Sequence, residues 1–161
     1  MPDPTPRTGI GFDVHRFGPG RPLWLGGVLV PDHDGLVGHS DGDAVCHALA
    51  DAVLGAAALG DVGEHFPDTD PAVAGIVGTD LLARAVALAA EAGRRPTSAD
   101  VTVIADTPAV APLRDAMRAA LAGALHVSVD VVSVPGDPMN VKITTMLDLA
   151  WAEARMGGVG A

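Results

Sequence analysis

Asp13 and His15 stand two residues apart around Val14. On a strand, where side chains alternate, that spacing puts a carboxylate and an imidazole on one face. Asp43, His47 and Asp51 recur at intervals of four, the spacing of a single stripe on a helix. Adding His47 to the Asp13–His15 pair gives two imidazoles and one carboxylate, a donor set suited to Zn²⁺. With neutral rings such a site has a net charge of about +1 and keeps a fourth position open, as catalytic zinc does and structural zinc does not. Asp43 and Asp51 are then expected to orient the His47 ring. An Asp-x-His pair alone is equally compatible with a structural role; the acid-flanked helical histidine is what favours a metal. His39 precedes an expected helix N-terminus, where backbone N–H groups attract anions. His33 and His126 read as surface residues, and His65 as a loop residue beside Phe66.

The charge distribution agrees. The chain of 161 residues carries 20 acidic and 10 basic side chains, a formal charge of −10. Residues 13–70 hold ten of the acids and five of the six histidines, with only Arg16 and Arg21 as bases. Lys142 is the single lysine. No basic run exists to grip a nucleic acid, so nucleic-acid binding is not expected. An anionic membrane surface is an equally poor partner. Cys46 is the only cysteine, which excludes an intrachain disulfide and suits a reducing cytoplasm. Residues 1–7 contain no apolar stretch of the signal-peptide kind and read as a tail. No segment reaches the length of a membrane span.

The elements that must position these residues follow from pattern. The length suits one domain covering residues 1–161. Residues 8–15 alternate, with Ile10, Phe12 and Val14 opposite Gly9, Gly11, Asp13 and His15, and predict a strand. Residues 23–30 predict a second strand, interrupted at Gly26-Gly27 and paired with the first. A helix is expected from Ser40-Asp41-Gly42-Asp43 to about Leu59, capped by Ser40 or Asp41 and stopped by Gly60. Residues 63–71 read as a loop, 79–92 as a second helix, 101–105 as a strand, and 112–125 as a third helix opened by Pro112. Residues 127–134 and 139–144 read as strands, and 147–156 as helix or strand. This order predicts an α+β fold: a mixed β-sheet with helices packed on one face. The sheet's other face would be left bare, which suggests oligomerisation. With aromatics at 3%, the core must be aliphatic.

Gly11-Phe12-Asp13-Val14-His15-Arg16-Phe17 and Gly38-His39-Ser40-Asp41-Gly42-Asp43, followed by His47-Ala48-Leu49, resemble the two signatures of the 2-C-methyl-D-erythritol 2,4-cyclodiphosphate synthase family. Residues 54–63 and Phe66-Pro67-Asp68-Thr69-Asp70 continue the likeness, which returns at Val141-Lys142-Ile143-Thr144-Thr145. The resemblance implies a homotrimer with active sites between subunits and a cytidine diphosphate-linked substrate. In that family the 2-phosphate of 4-diphosphocytidyl-2-C-methyl-D-erythritol 2-phosphate attacks the β-phosphate, CMP leaves, and the cyclodiphosphate closes. The matching zinc ligands are Asp13, His15 and His47. The residues similar to the transition-state positions are His39 and Thr145. Ser40 would touch phosphate. Asp61, Gly63, Phe66, Asp68 and Asp70 would line the erythritol side. Residues 105–111, Pro108 among them, and Thr144 would follow the cytidine pocket, with Lys142 on the same strand as Thr144.

Attack of one phosphate on another demands charge neutralisation, and this lysine-poor chain would meet it with metals. The resemblance implies Mg²⁺ or Mn²⁺ beside the zinc. Beyond Thr145 the chain departs from the family pattern: Leu147 stands where the family's second-metal glutamate falls, with Asp148 adjacent, and the family's arginine is absent or moved to Arg155. Thr107-Pro108-Ala109 and residues 135–140 depart as well. These departures leave open a paralogue acting on another cytidylylated phosphate or phosphonate, and a trimeric metal- and nucleotide-binding module without turnover.

Overall fold

Gly26 and Gly27 both adopt positive φ, 57° and 77°, as the central residues of a two-residue hairpin turn do. They join β2 (Leu23–Leu25) to β3 (Val28–Val30), with Trp24 opposite Leu29. The expected second strand over residues 23–30 is therefore a complete hairpin in itself. It pairs internally and not with residues 8–15. The computed structural model in which this is seen describes residues 5–134 apart from 39, 68 and 72.

Helices and strands are mixed in an α+β arrangement. Among the described residues the strands form three two-stranded ladders in place of the expected single sheet. β1 (Phe17–Gly18) pairs antiparallel with β4 (Gly35–Leu36), β2 with β3, and β5 (Ala99–Asp100) pairs parallel with β6 (Val132–Ser133). The strand expected at 101–105 is not formed, the pairing residues lying just before it at Ala99–Asp100, and the strand expected at 127–134 shortens to Val132–Ser133. Ser128 accepts from the Asp130 N–H and opens a 3₁₀ turn, Val129–Val131, which leaves only two residues extended for pairing. The segments expected as a strand at 139–144 and as helix or strand at 147–156 lie outside the described residues.

α1 (Ala44–Ala57) begins at Asp43, whose side chain accepts from the N–H groups of Val45 and Cys46. The cap is thus neither Ser40 nor Asp41. The helix stops at Ala58, which turns left-handed at φ 60° before Gly60 is reached. α2 (Val62–His65) is a single turn capped by Asp61, so residues 62–65 are not loop, and His65 ends this turn with its Nε2 2.7 Å from the Leu59 carbonyl oxygen. α3 (Gly78–Glu91) buries Leu81, Leu82, Ala85, Val86 and Ala89, a helical stripe that packs on α1. Pro112 sits in a 3₁₀ turn, Ala111–Leu113, that leads into α4 (Arg114–Leu125). α4 buries Met117, Leu121 and Leu125 and ends at a left-handed His126.

These faces meet the hairpin in one core. Leu23, Leu54, Leu81, Leu82, Met117, Leu121 and Leu125 are its fully buried large side chains. Each such residue contributes about 1.5–3 kcal/mol relative to exposure. Phe66 is the only aromatic residue in this cluster, as the composition requires. Among the described residues no helix is long and apolar enough to cross a membrane.

Candidate metal centre

Residues 8–15 lie extended along α1, and the two glycines explain how closely. A Cβ on Gly9 would sit 1.8 Å from the Ala52 carbonyl oxygen, and one on Gly11 would sit 1.7 Å from that of Ala48. Only glycine permits this approach. The expected alternation holds, and the structure supplies its sense. The face carrying Gly9, Gly11, Asp13 and His15 turns toward α1, while Ile10, Phe12 and Val14 are 88%, 79% and 77% exposed. Among the described residues this segment has no ladder partner. The glycines thus deliver Asp13 and His15 to the turn of α1 that carries His47.

One ligand atom from each of Asp13, His15 and His47 lies within 4.8 Å of the others. Asp13 Oδ2 is 3.1 Å from His15 Nδ1 and 3.3 Å from His47 Nδ1. Ligand bonds of about 2.0–2.2 Å at a tetrahedral ion separate neighbouring ligand atoms by about 3.4 Å. The observed approaches match that spacing. Asp13 Oδ2 and His15 Nδ1 are moreover buried without a hydrogen-bond partner, a condition that costs about 1–3 kcal/mol per group unless something else satisfies it. A divalent cation satisfies both atoms at once, so the residues fit a metal ion.

Burial opposes ionisation of Asp13, but the neighbouring rings of His47 and His15 outweigh it and hold its carboxyl below the usual range. Burial likewise opposes protonation of His47, but Asp13, with Asp43 and Asp41 behind it, outweighs this and raises the imidazole. A metal ion entering the site competes for His47 with the proton that Asp13 favours.

Asp43 and Asp51 do not orient the His47 ring as expected. The Asp43 carboxylate, with no exposed surface, accepts from Gly26 N–H at 2.9 Å, Gly27 N–H at 2.6 Å, and Val45 and Cys46 N–H at 3.1 Å each. It also accepts from the Cys46 thiol, whose ionisation is strongly disfavoured by burial and by the Asp43 charge. Asp43 therefore bolts the hairpin turn to the start of α1. Asp51 accepts from Val62 N–H at 2.8 Å and positions α2. The ring's partner is Ser40, whose Oγ is 3.0 Å from His47 Nε2.

Sequence reasoning missed Arg21. Its guanidinium donates to the carbonyl oxygens of Gly38 and Ser40, holding the loop that carries the second signature. The only sequence signal was its rarity, as one of two bases in residues 13–70. Asp41 was also unassigned beyond capping; it accepts from Asp43 N–H and from Gly78 N–H, tying the same loop to α3.

Of the other expected site residues, only Ser40 is joined to this centre by a contact, through His47. Ser40 is buried at 7% exposure. Asp61 caps α2 through Glu64 N–H, Gly63 lies within α2, and Phe66 closes it with its side chain in the core. Asp70 is exposed. Pro108 follows a cis peptide bond from Thr107, and Thr107 Oγ1 is 3.2 Å from His33 Nε2. His39, Asp68, Lys142, Thr144 and Thr145 lie outside the described residues.

Comparison with known proteins bears on what such a centre does. The model of the YgbB family matches residues 6–152. A 2-C-methyl-D-erythritol 2,4-cyclodiphosphate synthase of Symbiobacterium thermophilum is 55% identical over 126 residues, covering 78% of this chain and 80% of its own. The synthase of Idiomarina loihiensis is 48% identical over 151 residues, covering 94% and 91%. Among solved structures, a 2C-methyl-D-erythritol-2,4-cyclodiphosphate synthase in its CDP-bound form superposes with a TM-score of 0.75 at 40% identity, over 80% of this chain and 85% of that one.

Proposed function

The chain belongs to the YgbB family, and we propose that its Asp13, His15 and His47 hold the Zn²⁺ of a cyclodiphosphate synthase site. The activity is the cyclisation of 4-diphosphocytidyl-2-C-methyl-D-erythritol 2-phosphate to 2-C-methyl-D-erythritol 2,4-cyclodiphosphate with release of CMP, a step of the non-mevalonate isoprenoid pathway. The observation that carries the metal assignment is the convergence of three donor atoms on signature residues, two of them buried without hydrogen bonds.

Each part of the chain contributes to that reaction. A bound divalent ion supplies Lewis-acid neutralisation of the phosphate oxygens. Asp13, His15 and His47 hold it with one anionic and two neutral donors, and so leave it a net positive charge for the substrate. Ser40 offers a hydroxyl to phosphate, with its backbone held by Arg21. His39 and Thr145 are assigned to the transition state, where charge spreads over the phosphoryl oxygens. Asp61, Gly63, Asp68 and Asp70 take the erythritol side, with Phe66 anchoring that loop through its side chain in the core; Pro108, Lys142 and Thr144 take the cytidine side. Mg²⁺ or Mn²⁺ is the second ion, with Asp148 as the carboxylate nearest to the family's glutamate position.

The whole of residues 1–161 serves as one domain in the cytoplasm, in a homotrimer. The row of Ile10, Phe12 and Val14, between 77% and 88% exposed, supports that assembly: an apolar stripe of this kind is a surface for other copies of the chain. Multi-angle light scattering on the intact protein should give three chains, and a monomer would refute it. The function is tested by incubating the zinc-loaded protein with the substrate, with and without Mg²⁺ or Mn²⁺, and measuring CMP. CMP release in step with cyclodiphosphate is expected. Tight substrate binding without CMP under every metal condition would favour the binding-module reading, which the altered residues from Met146 onward recommend.

A further inference from the structure

We propose that Ser40 positions His47 for metal binding, and that loading His47 with a metal turns the Ser40 hydroxyl proton outward as a donor for an anion. The proposal rests on the metal-centre reading above. A serine hydroxyl has one proton to give and two sites at which to accept. Ser40 Oγ already accepts from Gly42 N–H at 3.0 Å, and its other neighbour is His47 Nε2, also at 3.0 Å. The opposite nitrogen of that ring, Nδ1, faces Asp13 Oδ2 within the donor cluster. A neutral imidazole carries one proton, and a nitrogen that binds metal must offer its lone pair.

Two arrangements follow. In the neutral ring with its one proton on Nδ1, toward Asp13, Nε2 is an acceptor and the Ser40 hydroxyl donates to it; the exchange belongs to this form, since in the doubly protonated ring Nε2–H already donates to Ser40. With Nδ1 committed to a metal, the proton is on Nε2 and donates to Ser40 Oγ. Both acceptor sites of Ser40 are then filled, by Gly42 and by His47, and its own O–H is left to point elsewhere. Ser40 is held for this exchange: its carbonyl is gripped by Arg21 and the residue is 7% exposed, which limits competition from water. Through one hydroxyl, occupancy of the metal site and readiness to bind a phosphate oxygen become linked.

The test uses the full chain, Zn²⁺ alone as probe, and the variants Ser40→Ala and Ser40→Thr. Zinc affinity is measured by competition with a chelator. Wild type and Ser40→Thr are expected to bind one ion per chain with similar affinity. Ser40→Ala should bind about tenfold more weakly, the low end of effects seen when a ligand histidine loses its outer partner. In the zinc-loaded protein labelled with ¹⁵N-histidine, the His47 Nε2–H should be protected from solvent exchange in wild type and Ser40→Thr and exposed in Ser40→Ala. Equal zinc affinity and equal N–H protection in wild type and Ser40→Ala would overturn the proposal and leave the metal centre standing. So would a Ser40→Thr variant that fails like Ser40→Ala while keeping wild-type circular dichroism. A wild-type chain that binds no zinc would overturn the metal-centre reading itself, and this proposal with it.

Discussion

Replacing Asp43 should unfasten the metal-bearing helix from the hairpin, at a cost that the hydrogen bonds define. Oδ1 accepts from Gly26, Val45 and Cys46 N–H, and Oδ2 from Gly27 N–H and the Cys46 thiol. Asp43→Asn keeps one oxygen and can still serve the first group. Its amide then opposes the Gly27 N–H, donor against donor, and leaves that group unpaired, a loss of about 1–3 kcal/mol. Asp43→Ala also removes the helix cap, about 1 kcal/mol more, and leaves the Gly26 N–H unpaired, another 1–3 kcal/mol or so. The expected order is wild type, Asp43→Asn, then Asp43→Ala, with total losses of about 2 and about 5 kcal/mol. Against a typical stability of about 5–15 kcal/mol, the alanine variant should lose about a third or more of the total. The assay is urea unfolding at fixed chain concentration, since association shifts apparent stability. In a Trp151→Phe background, tryptophan fluorescence would report on the β2–β3 hairpin through Trp24, and circular dichroism on the helices. An Asp43→Asn variant within about 0.5 kcal/mol of wild type, the ordinary range for a surface change, would refute the clamp.

Four further outcomes follow from the same contacts. His47→Ala should abolish stoichiometric zinc, read by metal analysis of the purified protein; unchanged stoichiometry would contradict the ligand set. Zinc affinity should rise with pH, because zinc and a proton compete for His47 and Asp13 favours the proton, and a calorimetric titration in buffers of different ionisation heat should show proton release that grows as the pH is lowered. The metal-free protein should behave in the opposite way above neutrality. Asp13 is lowered from its ordinary 3.8 and His47 raised from its ordinary 6.5, so their mutual stabilisation is fully present between about pH 3.8 and 6.5. It is lost as pH falls through the lowered Asp13 value, or rises through the raised His47 value, and thermal melts across pH with chelator present would reveal a flat response if the pairing were absent. Gly11→Ala forces a Cβ to within 1.7 Å of the Ala48 carbonyl oxygen. It should move Asp13 and His15 off α1 and weaken zinc binding at least tenfold, the scale of losing a ligand's support; wild-type affinity would show that the close approach is dispensable.

Much of the centre was legible in the residues themselves. The period of a strand placed Asp13 and His15 on one face, and the signature residues set His47 beside them as a third ligand. The three long helices were found within a few residues of their ends, because apolar periodicity and Gly or Pro punctuation are local signals. The signatures identified the family, since a long run of specified side chains records the chemistry directly.

What sequence spacing could not settle is who meets whom across the chain. Residues 8–15 alternate whichever face turns inward; the carbonyls of Ala48 and Ala52 decide it by admitting glycine and nothing larger. The carboxylate of Asp43 looked like a partner for His47 four residues on, but its hydrogen bonds go to a hairpin turn 16 and 17 residues back. Arg21 found its place through two carbonyls that no motif marks. Side-chain period and residue type are properties of a short stretch of chain, and the sequence by itself determined the donor set and the helices that carry it. Hydrogen-bond partners depend on the approach of distant segments under close packing, and only the tertiary structure decided which acids hold the scaffold together and which one faces the two histidines of the candidate metal site.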